Sequence, residues 1–175
     1  GCTVIFRLTG IMRRTLLILK SLLGYKVSVI YACCGSIAKR IGSEGVFNII
    51  KKKTELLIRS SDVREIVTTC AGCFSTLAKF YDLGKVKVKH LSTFIYDFSK
   101  PQLEGAINGK VAYHDPCHLG RHSGVYEEPR YIISDIARLD LVKFRENREK
   151  SMCCDAGGGL LSAFEDLAQQ VALTS

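Results

Sequence analysis

The stretch Tyr31-Ala32-Cys33-Cys34-Gly35 constrains this chain more than any other. Adjacent side chains diverge from the backbone. Two neighbouring sulfurs therefore reach one small target only where the chain bends sharply, and Gly35 permits such a bend. The other cysteines indicate what the bend is for. All eight fall into two sets: Cys2, Cys33, Cys34, Cys70 and Cys73, then Cys117, Cys153 and Cys154. In the first set 30 residues separate Cys2 from Cys33, and 35 separate Cys34 from Cys70.

The first set offers one thiol more than a tetrahedral zinc ion needs. Soft thiolates suit zinc or iron–sulfur clusters, and clusters can use additional thiolates. Cys70-Ala71-Gly72-Cys73 follows a strand-like run and opens a helix, so on its own it also fits a thioredoxin-like redox pair. The vicinal pairs and the CxxC are unlike an ordinary disulfide framework, and no signal-peptide pattern opens the chain. We therefore expect a reducing, intracellular (cytoplasmic) compartment with metal-bound thiolates.

Strand and helix patterns alternate along the sequence. Residues 3–23 carry apolar side chains at helical spacing, closed by Gly24, and residues 26–31 alternate like a strand. Ser43 suits the cap of a helix reaching about residue 60, with Val46, Ile49, Ile50 and Leu57 on its buried face. Strands are expected at residues 64–69 and 85–90, with a helix from Cys73 to about Tyr81, another near residues 92–98, and a loop over residues 101–109. The pattern then restarts with a strand at residues 110–114. Asp115 suits an N-cap and Pro116 a first helical position. A helix over residues 127–138, with Ile132, Ile133 and Ile136 inside, a strand over residues 139–144 and a last helix after Gly157-Gly158-Gly159 complete it.

This alternation predicts an α/β fold of two Rossmann-like lobes with mainly parallel sheets and with cysteines at the carboxyl ends of strands. Cys2 and Cys117 lie 115 residues apart, and Cys34 and Cys154 lie 120 apart. We read an internal pseudo-twofold duplication, lobe 1–105 and lobe 106–175. The second copy is incomplete, because its counterpart of the CxxC is expected near position 190. The start at Gly1, with no strand ahead of Cys2, leads us to expect a piece of a longer polypeptide.

The chain has 175 residues, 47% of them apolar, enough to bury a core. Its net charge of +8 sits in short runs such as Lys51-Lys52-Lys53. A solvated basic face or an acidic redox partner fits those runs. Nucleic acid does not, because aromatics are not interleaved with the basic residues. No apolar run reaches the roughly 18–20 residues that span a bilayer.

The motifs together resemble the cysteine-rich CCG domain family, found in heterodisulfide reductase and in the iron–sulfur subunits of glycolate oxidase, lactate utilisation systems and anaerobic glycerol-3-phosphate dehydrogenase. The residues that carry the resemblance are Gly1-Cys2-Thr3, Ala32-Cys33-Cys34-Gly35, Thr69-Cys70-Ala71-Gly72-Cys73, His114-Asp115-Pro116-Cys117-His118-Leu119-Gly120-Arg121 and Cys153-Cys154-Asp155-Ala156-Gly157-Gly158-Gly159. The resemblance implies four-iron clusters of a non-cubane type, or zinc at one motif. Cys2, Cys33, Cys34, Cys70 and Cys73 would hold the first centre, and Cys117, Cys153 and Cys154 would belong to a second. Asp155 departs from the family's glycine.

The activity so implied is that of a heterodisulfide-reductase-like oxidoreductase passing electrons to a disulfide substrate. Its partners would be a ferredoxin-type domain or subunit and a flavoprotein or membrane cytochrome subunit, the latter able to hold it at the inner face of a membrane. Two alternatives remain: an electron-transfer subunit of a glycolate-, lactate- or glycerol-3-phosphate-oxidising complex, and a zinc-stabilised interaction module. His118 is a candidate proton donor, since disulfide cleavage consumes protons. Arg121 is a candidate for substrate or cluster charge, and otherwise a surface arginine. Gly157, Gly158 and Gly159 are candidates to turn backbone N–H groups toward a cofactor, and otherwise a plain turn. His114, His118 and His122 recur every four residues, but a strand at His114 and a helix start at Pro116 would keep them off one helical face.

Overall fold

The computed structural model describes residues 2–24, 27–98, 108–154 and 157–174. The chain divides into two compact units. The first comprises Gly1–Ser36 with Glu44–Leu91, the second Ile37–Ser43 with Ser92–Ser175.

The first unit begins with α1 (Cys2–Phe6) and α2 (Thr9–Leu23). The single helix expected over residues 3–23 is broken at Arg7 and Leu8, and Gly24 ends it with a φ of 69°. The strand expected at residues 26–31 does not form over 27–31, and Lys26 lies outside the described residues. A strand exists only through a ladder, and residues 27–31 join none. Val27 and Ile30 instead line a cavity of roughly 200 Å³ together with Ile66 and Val67.

The chain turns at Gly35 into α3 (Ser36–Arg40), then forms α4 (Glu44–Arg59). The buried stripe of α4 is not the one expected. Val46, Ile49 and Leu57 are 50%, 72% and 43% exposed, while Phe47, Thr54 and Ile58 are buried. The seven-residue step from Phe47 to Thr54 is two helical turns, so a threonine occupies the core-facing stripe. After α4 come β1 (Glu65–Thr68), α5 (Ala71–Phe80), β2 (Lys87–His90) and α6 (Leu91–Phe98). Strands β1 and β2 pair in parallel, Glu65 opposite Lys87 and Thr68 opposite His90, with α5 as the crossover. The carboxyl end of β1 delivers Cys70.

In the second unit β3 (Lys110–Ala112) pairs in parallel with β4 (Asp140–Val142). The expected helix at Pro116 is replaced by tight turns over residues 117–123. The Asp115 carboxylate does not act as an N-cap. The side chain is buried and held by Arg130. Next, α7 (Glu127–Tyr131) runs on into a π-helical turn, Ile132–Ile136. After β4, a short 3₁₀ turn (Arg148–Lys150) leads to the second vicinal pair. The last helix is interrupted, with α8 (Leu160–Ala163) and α9 (Glu165–Thr174) either side of Phe164. The fold is thus mixed helix with small parallel sheets, α/β in kind. The loop expected over residues 101–109 lies outside the described residues except at Asn108 and Gly109. Among the described residues no helix is long and apolar enough to cross a membrane.

Candidate metal centre

The bend at Gly35 is real and doubly enforced. Gly35 has a φ of 69°, and a Cβ there would stand 2.9 Å from Cδ2 of Phe47. Phe47 is 3% exposed and fixed by edge-on contacts with Phe80 and Tyr81, so the ring cannot yield easily. Two side chains far along the chain hold the carbonyls of the vicinal pair. Thr54 Oγ1 donates to the Cys33 carbonyl at 3.0 Å, and the Tyr81 hydroxyl donates to the Cys34 carbonyl at 3.0 Å. Burial, with Cys34 nearby, pushes the Tyr81 hydroxyl up, so it stays a donor at neutral pH. Sequence reasoning misses both residues. The one signal for Thr54 is a polar residue two turns from Phe47 on an otherwise apolar stripe. Tyr81 carries none.

Around this bend the first set gathers. Cys34 Sγ and Cys73 Sγ share a hydrogen bond at 3.2 Å in a buried setting, within a cluster that includes Leu77, Ile66 and Cys70. Cys73 also shares a hydrogen bond with Cys70, and Cys2 with Cys33. Cys70 precedes the first turn of α5, where N–H groups are unpaired. Backbone N–H groups serve the sulfurs: Gly35 toward Cys33 at 3.4 Å, Ser36 toward Cys34, and Gly72 and Cys73 toward Cys70.

The protons sort accordingly. The hydrogen bond from Cys73 lowers Cys34 to about 7 against the opposing effect of burial, and the Ser36 N–H assists. The same thiol lowers Cys70 to about 5, again against burial, with help from the Cys73 and Gly72 N–H groups. Cys73 itself is pushed up because it serves both neighbours. Cys33, although exposed as a residue, is raised by desolvation of its sulfur against the favourable Gly35 N–H, with Cys34 and Cys2 adding to the rise. The result is a soft sulfur donor set, with Cys34 and Cys70 lowered around the Cys73 thiol, that a cation would complete. All eight cysteines lie among the described residues, and none is in a disulfide. The donor chemistry and the N–H groups aimed at sulfur fit a thiolate-held iron–sulfur or zinc centre.

The second set is arranged differently. Cys117 and Cys153 are half-buried and Cys154 is exposed, while Asp155 lies outside the described residues. The turn bearing Cys117 is tied to the stretch before Cys153 by Arg121, which donates to the Ser151 carbonyl at 2.8 Å. Asp115 ties it further. Its carboxylate accepts both Arg130 nitrogens at 2.7 Å and the Arg148 N–H at 2.7 Å. Burial alone would raise that carboxyl. These donors overcome it and hold Asp115 below the ordinary carboxylate range. His118 stacks on His122, centroids 5.1 Å apart, whereas His114 Nδ1 lies 3.5 Å from Ser151 Oγ. Gly158 and Gly159 take left-handed φ values of 67° and 89°, Gly159 opening α8. A Cβ at Gly157 would stand 4.0 Å from His118 Nε2.

Comparison with known proteins gives this arrangement a context. The family model described as a cysteine-rich domain, CCG, matches residues 1–78 and 111–174. One component of the dihydromethanophenazine:CoB–CoM heterodisulfide reductase of Methanosarcina mazei is 33% identical over 98% of this chain and 45% of its own length. One component of the fumarate reductase (CoM/CoB) of Methanothermobacter marburgensis is 33% identical over 98% of this chain and 35% of its own. A protein of Methanocaldococcus jannaschii, described as an uncharacterized iron–sulfur protein, is 33% identical over 98% of this chain and 34% of its own. The chain thus spans less than half the length of these relatives. No solved structure matches it.

Proposed function

Because the chain belongs to the cysteine-rich CCG domain family, we propose that it is an iron–sulfur oxidoreductase domain that passes electrons to a disulfide substrate. Cys2, Cys33, Cys34, Cys70 and Cys73 would hold the cluster, of a four-iron and non-cubane type. The observation that carries this reading is the buried Cys34–Cys73 approach at 3.2 Å, with Cys70 sharing the same thiol. When bound, an iron–sulfur cluster takes up and gives out single electrons. The chain's own residues fix the thiolates: Gly35 bends the pair, Thr54 and Tyr81 clamp its carbonyls, and four backbone N–H groups favour the thiolate form. Opening a disulfide to two thiols takes two electrons and two protons. A disulfide substrate is supported by two relatives whose names carry the same pair, CoB and CoM. The electrons would come from a ferredoxin-type domain or subunit, or from a flavoprotein or membrane cytochrome subunit. The lobes 1–105 and 106–175 would be an internal duplication of one ancestral unit.

A second reading is an electron-relay role within a larger complex. It is favoured by those same relatives, since one is named for a heterodisulfide and the other for fumarate. Anaerobic purification, with iron, sulfide and zinc analysis and electron paramagnetic resonance, tests both. Iron with labile sulfide, lost in Cys34→Ser and Cys73→Ser, is the expected result. Zinc alone would leave only an interaction module. A cluster that a flavoprotein reduces but that releases no thiol from any disulfide would leave only the relay.

A further inference from the structure

Charge is spread unevenly along this chain. Seven lysines and arginines precede its first acidic residue, Glu44. The α1–α2 segment carries four of them, Arg7, Arg13, Arg14 and Lys20, all exposed. Among the described residues none of the four side chains has an ion-pair or hydrogen-bonding partner. Lys51, Arg59 and Lys89, by contrast, each face a carboxylate, on Glu55, Asp82 and Glu65. Lys20 stands in the last turn of α2, where the helix dipole itself favours a cation. Arg13 and Arg14 stand in mid-helix and have no such reason.

The same segment shows large apolar side chains to solvent. Its inner side belongs to the core, where Met12, Leu16 and Leu19 line the cavity beside Ile66 and Val67. Leu17 is 61% exposed, and Phe6, which ends α1, is 80% exposed. Arg13, Arg14 and Lys20 stand three or four positions from Leu17, so they ring it on one helical face. A surface groove is lined there by Arg13, Leu16, Leu17 and Lys20, which sets cations beside an apolar strip. Gly10 lines it too, and a Cβ on Gly10 would meet nothing within 4 Å, so the groove is open.

We propose that the α1–α2 segment docks directly on the surface of an anionic phospholipid bilayer, with Arg13, Arg14 and Lys20 on lipid phosphates and Leu17 and Phe6 at the acyl boundary. A bilayer matches both parts of this surface. Its headgroups supply the negative charge that the fold leaves out, and clustered basic residues are drawn to anionic leaflets. Long basic side chains lay their stems along apolar surface while their heads reach the phosphates. The exposed leucine and phenylalanine add apolar burial that charge alone does not. Nucleic acid supplies phosphate without an apolar phase, and Leu17 offers its bases no stacking surface. With 15 residues, α2 is about 22 Å long, and it would lie on the bilayer rather than cross it. The contact needs no partner subunit and is independent of the cluster proposed for the cysteines.

The test is co-sedimentation of the anaerobically purified protein with vesicles of phosphatidylcholine and phosphatidylglycerol, against vesicles of phosphatidylcholine alone. Binding to the anionic vesicles only is expected, weakening as salt rises from about 0.1 M to about 1 M and the screening length falls from about 10 Å to about 3 Å. Arg13→Gln and Arg14→Gln should each weaken binding about fivefold. Leu17→Gln should weaken it about tenfold. All three positions are exposed, so the variants should fold and keep the iron content of the wild type. Lys52→Gln with Lys53→Gln removes two exposed cations from α4 and should leave binding unchanged. The chain has no tryptophan, so Leu17→Trp gives a single reporter. Its emission should shift to the blue on anionic vesicles and be quenched by lipids brominated on their acyl chains. Failure to bind anionic vesicles, or an equal loss in the α4 variant, would overturn the proposal. So would binding that survives Leu17→Gln with no blue shift in Leu17→Trp. That is adsorption through charge alone, the behaviour of a face for an acidic protein or a nucleic acid.

Discussion

The two cysteine-bearing regions are held by opposite means. Around Cys33 and Cys34 the donors come from distant parts of the sequence, and the bend is held by neutral contacts: a ring against Gly35 and two hydroxyl-to-carbonyl hydrogen bonds. Around Cys117 a local turn carries the motif, and a buried charge pair anchors that turn. A long-range thiol nest depends on packing of α4 and α5. A local turn depends on a few backbone bonds and one ionic anchor.

The comparison breaks most readily at Asp115. Asp115→Asn leaves Arg130, 12% exposed along its side chain, without its ionic partner, and should cost about 3–5 kcal/mol in urea unfolding. The sign with pH follows from the depressed carboxyl. Its contribution is complete above the ordinary Asp value of about 4 and is lost as pH falls through the lower folded value. The gap between variant and wild type should therefore shrink only in strong acid. A gap unchanged down to such pH would remove the ionic anchor from the argument.

Next in size is Gly35→Ala, which forces a left-handed alanine and drives a methyl against Phe47. A loss of about 3 kcal/mol is expected, accompanied by loss of metal from the first set. Stability without loss would show that the bend is not needed. Tyr81→Phe and Thr54→Val each remove one clamp on the vicinal pair and should cost about 1 kcal/mol apiece. Being on neighbouring carbonyls, they should couple in a double-mutant cycle. The smallest effect is expected at the exposed Arg59–Asp82 pair. There Asp82→Asn should change stability by about 0.5 kcal/mol or less and leave both regions untouched.

Much of this is legible in the sequence. Parallel pairing, a cysteine at the end of β1 and a helix opening beside it follow from period-two apolar runs and a CxxC at their boundary. The failures have specific causes. Residues 27–31 have strand composition, but composition does not supply a ladder partner. Apolar pattern misplaces the buried face of α4 because Ile49 and Leu57 are as apolar as Phe47, and only contact with Gly35 and Tyr81 selects the phenylalanine side. Asp115-Pro116 has helix-start chemistry, yet Arg130 captures the carboxylate from a later helix.

The sequence by itself determined which atoms are available: eight thiols in two sets, a glycine behind the first pair, and three histidines within five residues of Cys117. Those facts are local, fixed by side-chain chemistry and by the φ that only glycine adopts freely. The tertiary structure decided which atoms meet and in which direction each thiol's proton affinity is shifted. The Cys73 thiol is hydrogen-bonded to both Cys34 and Cys70, burial acts on all three sulfurs, and aimed N–H groups reach Cys34 and Cys70. Such an effect depends on distance in space, and the order of residues along a chain does not record it.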